Sequence, residues 1–283
     1  MEDRQFKFRE SDFKLVRKLV YGRTGIDLNE NKQEMVYSRL SRRIRALGMR
    51  SFTQYLAFLE SANGDQEAGD FVNSMTTNLT RFFRESHHFD YLRNDVLKHR
   101  VEQARQKQRD KKIRIWSAGC SSGMEPYTIA MTVAATLPAR ENWDVQILAT
   151  DIDTNMLDTG KSGKYRSRDC EGIPAPLMKR FVINDGDHIQ MVDSLKQMIR
   201  FKYLNFMDEW PVKSKFDVIF CRNVMIYFDK KTQERLVGKF VELLQPHGVL
   251  FVGHAEAIVA NFSNLRNVGR SSFKVDRRLQ ECG

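Results

Sequence analysis

The stretch Lys112-Ile113-Arg114-Ile115-Trp116-Ser117-Ala118-Gly119-Cys120-Ser121-Ser122-Gly123-Met124-Glu125-Pro126-Tyr127-Thr128 decides how this chain folds. Ile113, Ile115 and Trp116 read as a short buried strand. A turn of small residues follows, with Gly119 and Gly123 inside it, where glycine lets backbone approach a ligand closely. Glu125-Pro126 then opens an apolar helix from Tyr127 to Leu137, with proline in the first turn, where its missing N–H costs nothing. Strand, glycine turn and helix form the first unit of a doubly wound nucleotide-binding sheet. A short motif of this kind also occurs as an ordinary tight turn, so a second signal is needed.

That signal is the next apolar strand, Val145 to Ala149, which ends in Thr150-Asp151-Ile152-Asp153. An acidic side chain at the tip of the second strand is placed to accept both ribose hydroxyls of an adenosine ligand, which gives Asp151 a cofactor-binding role. The glycine spacing is GxxxG rather than GxGxxG. That argues against NAD and leaves S-adenosylmethionine as the better ligand.

Working outward, the 283 residues suffice for one large or two modest domains with a sizeable core. Hydrophobic residues at 41% and charged residues at 29% indicate a globular chain rather than a disordered one. No apolar run approaches the roughly 20 residues that span a bilayer, and the polar start, Met-Glu-Asp-Arg-Gln-Phe-Lys, lacks a signal-peptide core. The expectation is a cytoplasmic protein without membrane insertion. Cys120, Cys170, Cys221 and Cys282 form no CxxC pair, which fits a reducing compartment. The six histidines show no HExxH-type spacing, so no metal is expected. The net charge of +10 calls for a negative partner, whether nucleic acid, anionic membrane or acidic protein.

Residues 8 to 64 read as a small helical domain. Ser11 can cap a first helix carrying Phe13, Val16 and Val20, broken at Gly22 and Gly25. Asn29 or Asn31 can start a second, stopped by Gly48, and Ser51 a third. Arg39, Arg42 and Arg43 on the second helix are spaced by three and four positions and share a face. That face is either simply solvated or a docking surface for an acidic partner. Polar residues interleave with Phe82 and Phe83 in Thr76-Thr77-Asn78-Leu79-Thr80-Arg81-Phe82-Phe83-Arg84-Glu85. Tyr91 to Lys112 is highly charged and reads as a helix leading into a linker.

Beyond Asp151, a helix near Asn155 to Ser162 precedes an irregular region. His188 to Val192 and Ile199 to Leu204 look like short strands of an insertion. Phe216 to Cys221 is a strongly buried strand with Arg222-Asn223 at its carboxyl tip, where ligands of open α/β sheets bind. A helix over Thr232 to Leu244 leads to a strand over Val249 to Val252, tipped by Gly253-His254-Ala255-Glu256. Val268 to Val275 can supply an antiparallel partner.

In this order, Thr76 to Glu85, Trp116 to Gly123, Glu125-Pro126-Tyr127, Thr150 to Asp153, Phe220-Cys221-Arg222-Asn223-Val224-Met225-Ile226-Tyr227-Phe228 and Gly253-His254 resemble the CheR-type chemotaxis-receptor glutamate methyltransferases. The resemblance covers nearly the whole chain. It implies an α/β fold in which a small N-terminal all-α domain (1–88, receptor docking) and a linker (89–112) precede a doubly wound, Rossmann-like methyltransferase domain (113–283). A small β subdomain is inserted at about 165–203. It implies S-adenosylmethionine as cofactor, contacted by Asn78, Thr80 and Arg84 from the linker side, by Glu125 and Asp151, and by Asn205, Phe206, Arg222 and Asn223. Arg84 and Tyr227 would lie nearest the methyl transfer. Arg39, Arg42 and Arg43 match the family's docking face for receptor methylation helices. The implied activity is methylation of glutamate side chains on chemoreceptor cytoplasmic domains, giving methyl esters for chemotactic adaptation.

Two departures stand out. Met124 occupies a position where many members carry an acid. Members that grip a receptor C-terminal pentapeptide have a longer glycine-rich loop than Ile183-Asn184-Asp185-Gly186-Asp187-His188, so the expectation is pentapeptide independence. A nucleic-acid methyltransferase, suggested by the charge, would show an Asn/Asp-Pro-Pro-Tyr/Phe strand tip or a Pro-Cys nucleophile; the chain has neither. A non-catalytic S-adenosylmethionine-binding adaptor is the other alternative, opposed by the intact Arg84, Asp151, Arg222 and Tyr227.

Overall fold

The computed structural model describes residues 5–253 and 262–276. The chain begins with four helices: α1 (Glu10–Thr24), α2 (Gln33–Ala46), α3 (Phe52–Glu60) and α4 (Asp65–Met75). Apolar residues at helical spacing, among them Phe13, Val16, Val20, Val36, Leu40, Ile44, Tyr55, Leu56 and Phe71, close one buried core. Ser51 caps α3, its hydroxyl accepting from the Gln54 N–H at 3.1 Å. The cap of α1 differs from the expected Ser11. Arg9 precedes the helix and the Asp12 carboxylate accepts its N–H at 2.8 Å, because an acid at the third helical position reaches back better than a hydroxyl inside the first turn.

The stretch expected to be a helix leading into a linker is helical over most of its length and packs into the sheet domain. α5 (His87–Tyr91), a wider π turn over Leu92–Leu97 and α6 (Lys98–Arg105) follow one another without a break. Phe82, Phe89, Leu92 and Leu97 are buried with Ile113, Ile115 and Ile129 in the core of the sheet domain. That domain therefore starts before residue 89, and the connection between the two bodies is the short non-helical stretch 76–86. The charges on this helix hid an apolar stripe that only its neighbours reveal.

The second body is a seven-stranded sheet. Its strands are β1 (Lys112–Ala118), β2 (Asp144–Asp151), β6 (Ile199–Tyr203), β7 (Phe216–Cys221), β8 (Leu244–Val252), β9 (Leu265–Gly269) and β10 (Ser272–Val275), in the order β6-β2-β1-β7-β8-β10-β9. Pairing is parallel from β6 to β8 and antiparallel where β10 meets β8 and β9. Helices α7 (Met124–Thr136), α8 (Thr154–Ser162) and α11 (Lys230–Leu243) follow β1, β2 and β7. The strand order reverses between β1 and β7, so a crevice opens at their carboxyl ends.

The insertion is a separate three-stranded antiparallel sheet, β3 (Lys164–Arg166), β4 (Val182–Asp185) and β5 (His188–Met191), in the order β3-β5-β4, with α9 (Ala175–Phe181) between β3 and β4. Ile199 to Tyr203, expected within the insertion, instead pairs in parallel with β2 as an edge of the main sheet, after the short helix α10 (Asp193–Lys196). Local alternation marks a strand but cannot choose between two sheets. His254, Glu256 and Cys282 lie outside the described residues.

Candidate active site

The glycine turn after β1 is built for close approach. Gly119 has φ +78° and Gly123 +87°, and a Cβ on Gly123 would fall 2.8 Å from the Gly160 Cα. The N–H groups of Gly119 and Cys120 both donate to the Thr150 carbonyl, at 2.8 and 2.9 Å, which ties the turn to the tip of β2. The Ser121 N–H donates to Asp151 at 2.7 Å and the Asp153 N–H at 2.9 Å. These bonds orient the Asp151 carboxylate and leave it lone pairs for a ligand. Burial pushes its pKa up to about 6, against those two N–H groups, which favour the ionised form.

Arg222, at the tip of β7, is the second centre. Its guanidinium lies 3.0 Å from Glu125, 3.2 Å from Glu85 and over the Phe89 ring, and it also donates to the Arg84 carbonyl. Burial raises the Glu125 pKa despite Arg222 and a hydrogen bond from Ser117 at 2.7 Å. At Glu85 burial also raises the pKa, but Arg222 and Asn223 outweigh it and hold the carboxyl below the usual range. Glu85, His87 and His88 bring ligand-type atoms within 4.8 Å of one another, although nothing in their sequence spacing signals a metal. The Arg222 cation already sits against that carboxylate.

The helical domain roofs this centre. Asn205 donates to the Arg23 carbonyl at 2.7 Å, and the Asp27 N–H donates to the Tyr227 carbonyl at 2.8 Å. Beneath the roof is a cavity of about 320 Å³ lined by Asn78, Thr80, Arg84, Glu125, Asp151, Asn205, Phe206, Arg222, Asn223 and Tyr227. The fold thus brings every expected cofactor and catalytic residue to one space. Several of their side chains are already engaged. The Asn78 amide donates to Asp153 at 2.7 Å, Arg84 to the Leu79 carbonyl at 2.9 Å, and the Asn205 carbonyl oxygen accepts the Met207 N–H at 3.1 Å. Asp153 was missed as a site residue. It caps α8 through the Asn155 and Met156 N–H groups and also accepts from Thr76 Oγ1 at 2.6 Å, so it pins the connecting stretch. An acid immediately before a helix start was the available signal. Glu85 and Ser117, both partners in the Arg222 network, were missed because nothing local marks a contact made across the sheet.

The α2 arginines part company. Arg43 holds Glu67 at 2.6 and 2.9 Å and Asp70 at 2.7 Å; Glu67 is only 5% exposed and also accepts from Tyr55. Arg39 donates to the carbonyls of Ser74 and Thr76, at 3.2 and 2.6 Å, and its partial burial lowers its pKa. Arg42 alone of the three is exposed. The expected three-arginine docking face is thus reduced to one outward cation, because α4 folds back along α2 and supplies carboxylates that sequence spacing could not place.

The donor set suits S-adenosylmethionine. A carboxylate at the tip of β2 meets hydroxyls, and glycine backbone lets the ligand lie close. A doubly wound sheet with this crevice and a helical roof defines the class: an S-adenosylmethionine-dependent methyltransferase. Residues 78–273 match the family model described as CheR methyltransferase, SAM binding domain, and residues 11–76 that described as CheR methyltransferase, all-alpha domain. The chain belongs to the CheR methyltransferase family. It is 43% identical over 276 residues to chemotaxis protein methyltransferase 2 of Pseudomonas aeruginosa, covering 96% of this chain and 95% of that one. It is 43% identical to the chemotaxis protein methyltransferase of Salmonella typhimurium and 42% to that of Escherichia coli, in each case over 262 residues and 90% of this chain, covering 85% and 86% of those proteins. Among the described residues no helix is long and apolar enough to cross a membrane.

Proposed function

We propose that this protein methylates glutamate side chains on the cytoplasmic helices of chemoreceptors, in the cytoplasm, giving methyl esters. The observation that carries this is the joint lining of one roofed cavity by Asp151, Arg84, Arg222 and Tyr227. Two further points support it: the relatives above are named chemotaxis protein methyltransferases, and the chain has a net charge of +10, suited to an acidic substrate.

A glutamate side chain, with an ordinary pKa of about 4.3, is already ionised at neutral pH, so the reaction needs no strong general base. S-adenosylmethionine supplies an electrophilic methyl group on a sulfonium. The protein's part is alignment and water exclusion. Asp151 would hold the ribose. Arg84 would orient the incoming carboxylate, and the Tyr227 hydroxyl would donate a hydrogen bond to it. Arg222, balanced by Glu85 and Glu125, would hold the Arg84 backbone through its carbonyl. The ester removes one negative charge from the receptor helix, a change that its packing can register.

The same reading holds that the enzyme takes no receptor C-terminal pentapeptide. Strand addition needs an accessible edge and a turn that admits the peptide. The β4–β5 turn carries one glycine, Gly186, between Asp185 and Asp187, whose charges repel a terminal carboxylate. Titration of the purified protein with receptor C-terminal peptides tests the pentapeptide reading, micromolar binding refuting it, and incubation with tritiated S-adenosylmethionine and a panel of receptor cytoplasmic fragments tests the methylation. Base-labile methanol release from the labelled receptor is the expected ester signature; base-stable label, or label on nucleic acid, refutes it.

A further inference from the structure

The stretch Asn78-Leu79-Thr80-Arg81 is a wall between two cavities. On one side is the site cavity; on the other is a larger one of about 990 Å³ that reaches Phe83, Arg93, Arg168 and Pro174. The wall is pinned from within: the Ser121 hydroxyl donates to the Asn78 carbonyl at 3.1 Å, the Asn78 amide to Asp153, and Arg84 to the Leu79 carbonyl. Leu79 nonetheless leaves its side chain 82% exposed. A single exposed leucine is ordinary. This one lines both cavities, its backbone is held in place, and Ile226, 49% exposed and next to Tyr227, lines the site cavity with it. Lys32, Arg81 and Arg84 line that cavity too.

We infer that Leu79, with Ile226, is a substrate-specificity element that grips an apolar position of an amphipathic acidic helix. The inference rests on the proposed function and names what the site demands of its substrate beyond a glutamate. A helix laid across the wall would lower its glutamate toward Arg84 and Tyr227. Residues three or four positions away share that face of the helix, and an apolar one there would cover Leu79 while flanking residues enter the larger cavity. Helix-in-groove recognition works by such spaced anchors, and the exposed cations Lys32 and Arg81, set against the exposed acid Asp27, complement an acidic helix.

The test is steady-state methylation of a receptor cytoplasmic fragment by the full-length enzyme and by Leu79→Ala, Leu79→Met, Leu79→Asp and Ile226→Ala, with calorimetric affinity for S-adenosylhomocysteine measured on each. Leu79→Ala should raise KM for receptor about tenfold, the scale of one lost interface anchor, with kcat at saturating receptor held. Leu79→Met should restore the wild-type KM, Leu79→Asp should be worse than alanine, and Ile226→Ala should shift KM in the same direction. Affinity for the demethylated cofactor should not move. An unchanged KM in Leu79→Ala and Leu79→Asp overturns the inference, as does a loss confined to cofactor affinity or thermal stability. The unaltered enzyme serves as the separate check on the underlying function, since a base-labile label from it shows that the activity is present whatever the variants do.

Discussion

Two of the places where arginine meets carboxylate in this molecule have different consequences. At the carboxyl ends of the strands, Arg222 sits between Glu85 and Glu125 on the wall of the site cavity, where the paired charges help shape a binding space. On the helical domain, Arg43 sits between Glu67 and Asp70, where the paired charges fasten α4 to α2 and none of the three residues lines either cavity described above. The chemistry of the pairs is the same. What separates them is what lies beside them: a crevice at a point of strand reversal in one case, a helix–helix seam in the other. An arginine cluster in sequence therefore says little about function until its carboxylates are located.

The comparison can be broken most severely at Asp151. Asp151→Asn keeps the shape but loses the charge-assisted acceptor, and affinity for S-adenosylhomocysteine should fall on the order of a hundredfold with the melting temperature retained. Unchanged affinity in calorimetry would remove the cofactor from this crevice. On the other side, Arg43→Ala should leave the nearly buried Glu67 without its guanidinium and cost about 1–3 kcal/mol of stability in denaturant titration. Loss of receptor KM without loss of stability would return Arg43 to a docking role.

Tyr227→Phe should lower turnover about tenfold, the worth of one hydrogen bond, with cofactor affinity nearly unchanged. The opposite split would move Tyr227 into the cofactor pocket. A pH series sharpens the Asp151 assignment. Its folded pKa is raised to about 6, so it takes up a proton as pH falls through 6, and the proton-bound carboxyl must ionise before it can accept two hydroxyls. Cofactor affinity should drop about tenfold between pH 7 and pH 5, and Asp151→Asn should flatten that profile. A wild-type profile flat over this range would show that Asp151 stays ionised or makes no contact. The smallest effect belongs to Arg42→Glu, which should raise receptor KM a few-fold and weaken its salt dependence, since exposed charges are screened over about 8 Å at physiological ionic strength. A KM and salt profile identical to the wild type would leave Arg42 as plain solvated surface.

Much of this was legible without coordinates. The glycines at 119 and 123, the apolar runs of β1, β2 and β7, and the acid at 151 act through local backbone geometry and burial, which residue type and spacing encode directly. They determined the doubly wound sheet, the position of its crevice and the strand-tip residues Asp151, Arg222 and Asn223, while the other named lining residues came from the family resemblance. The resemblance to one family added the cofactor and the reaction. Tertiary structure alone decided four things: that residues 87–105 pack as a helix into the sheet core, that Ile199 to Tyr203 joins the main sheet, that Asp153 pins the connecting stretch, and that Arg39 and Arg43 are engaged while Arg42 is not. The reason is common to all four. A hydrogen bond or ion pair forms only where packing brings its partners within about 3–4 Å. Glu67 lies 24 positions from Arg43 and Asp153 lies 77 from Thr76, separations across which local spacing carries no information about distance.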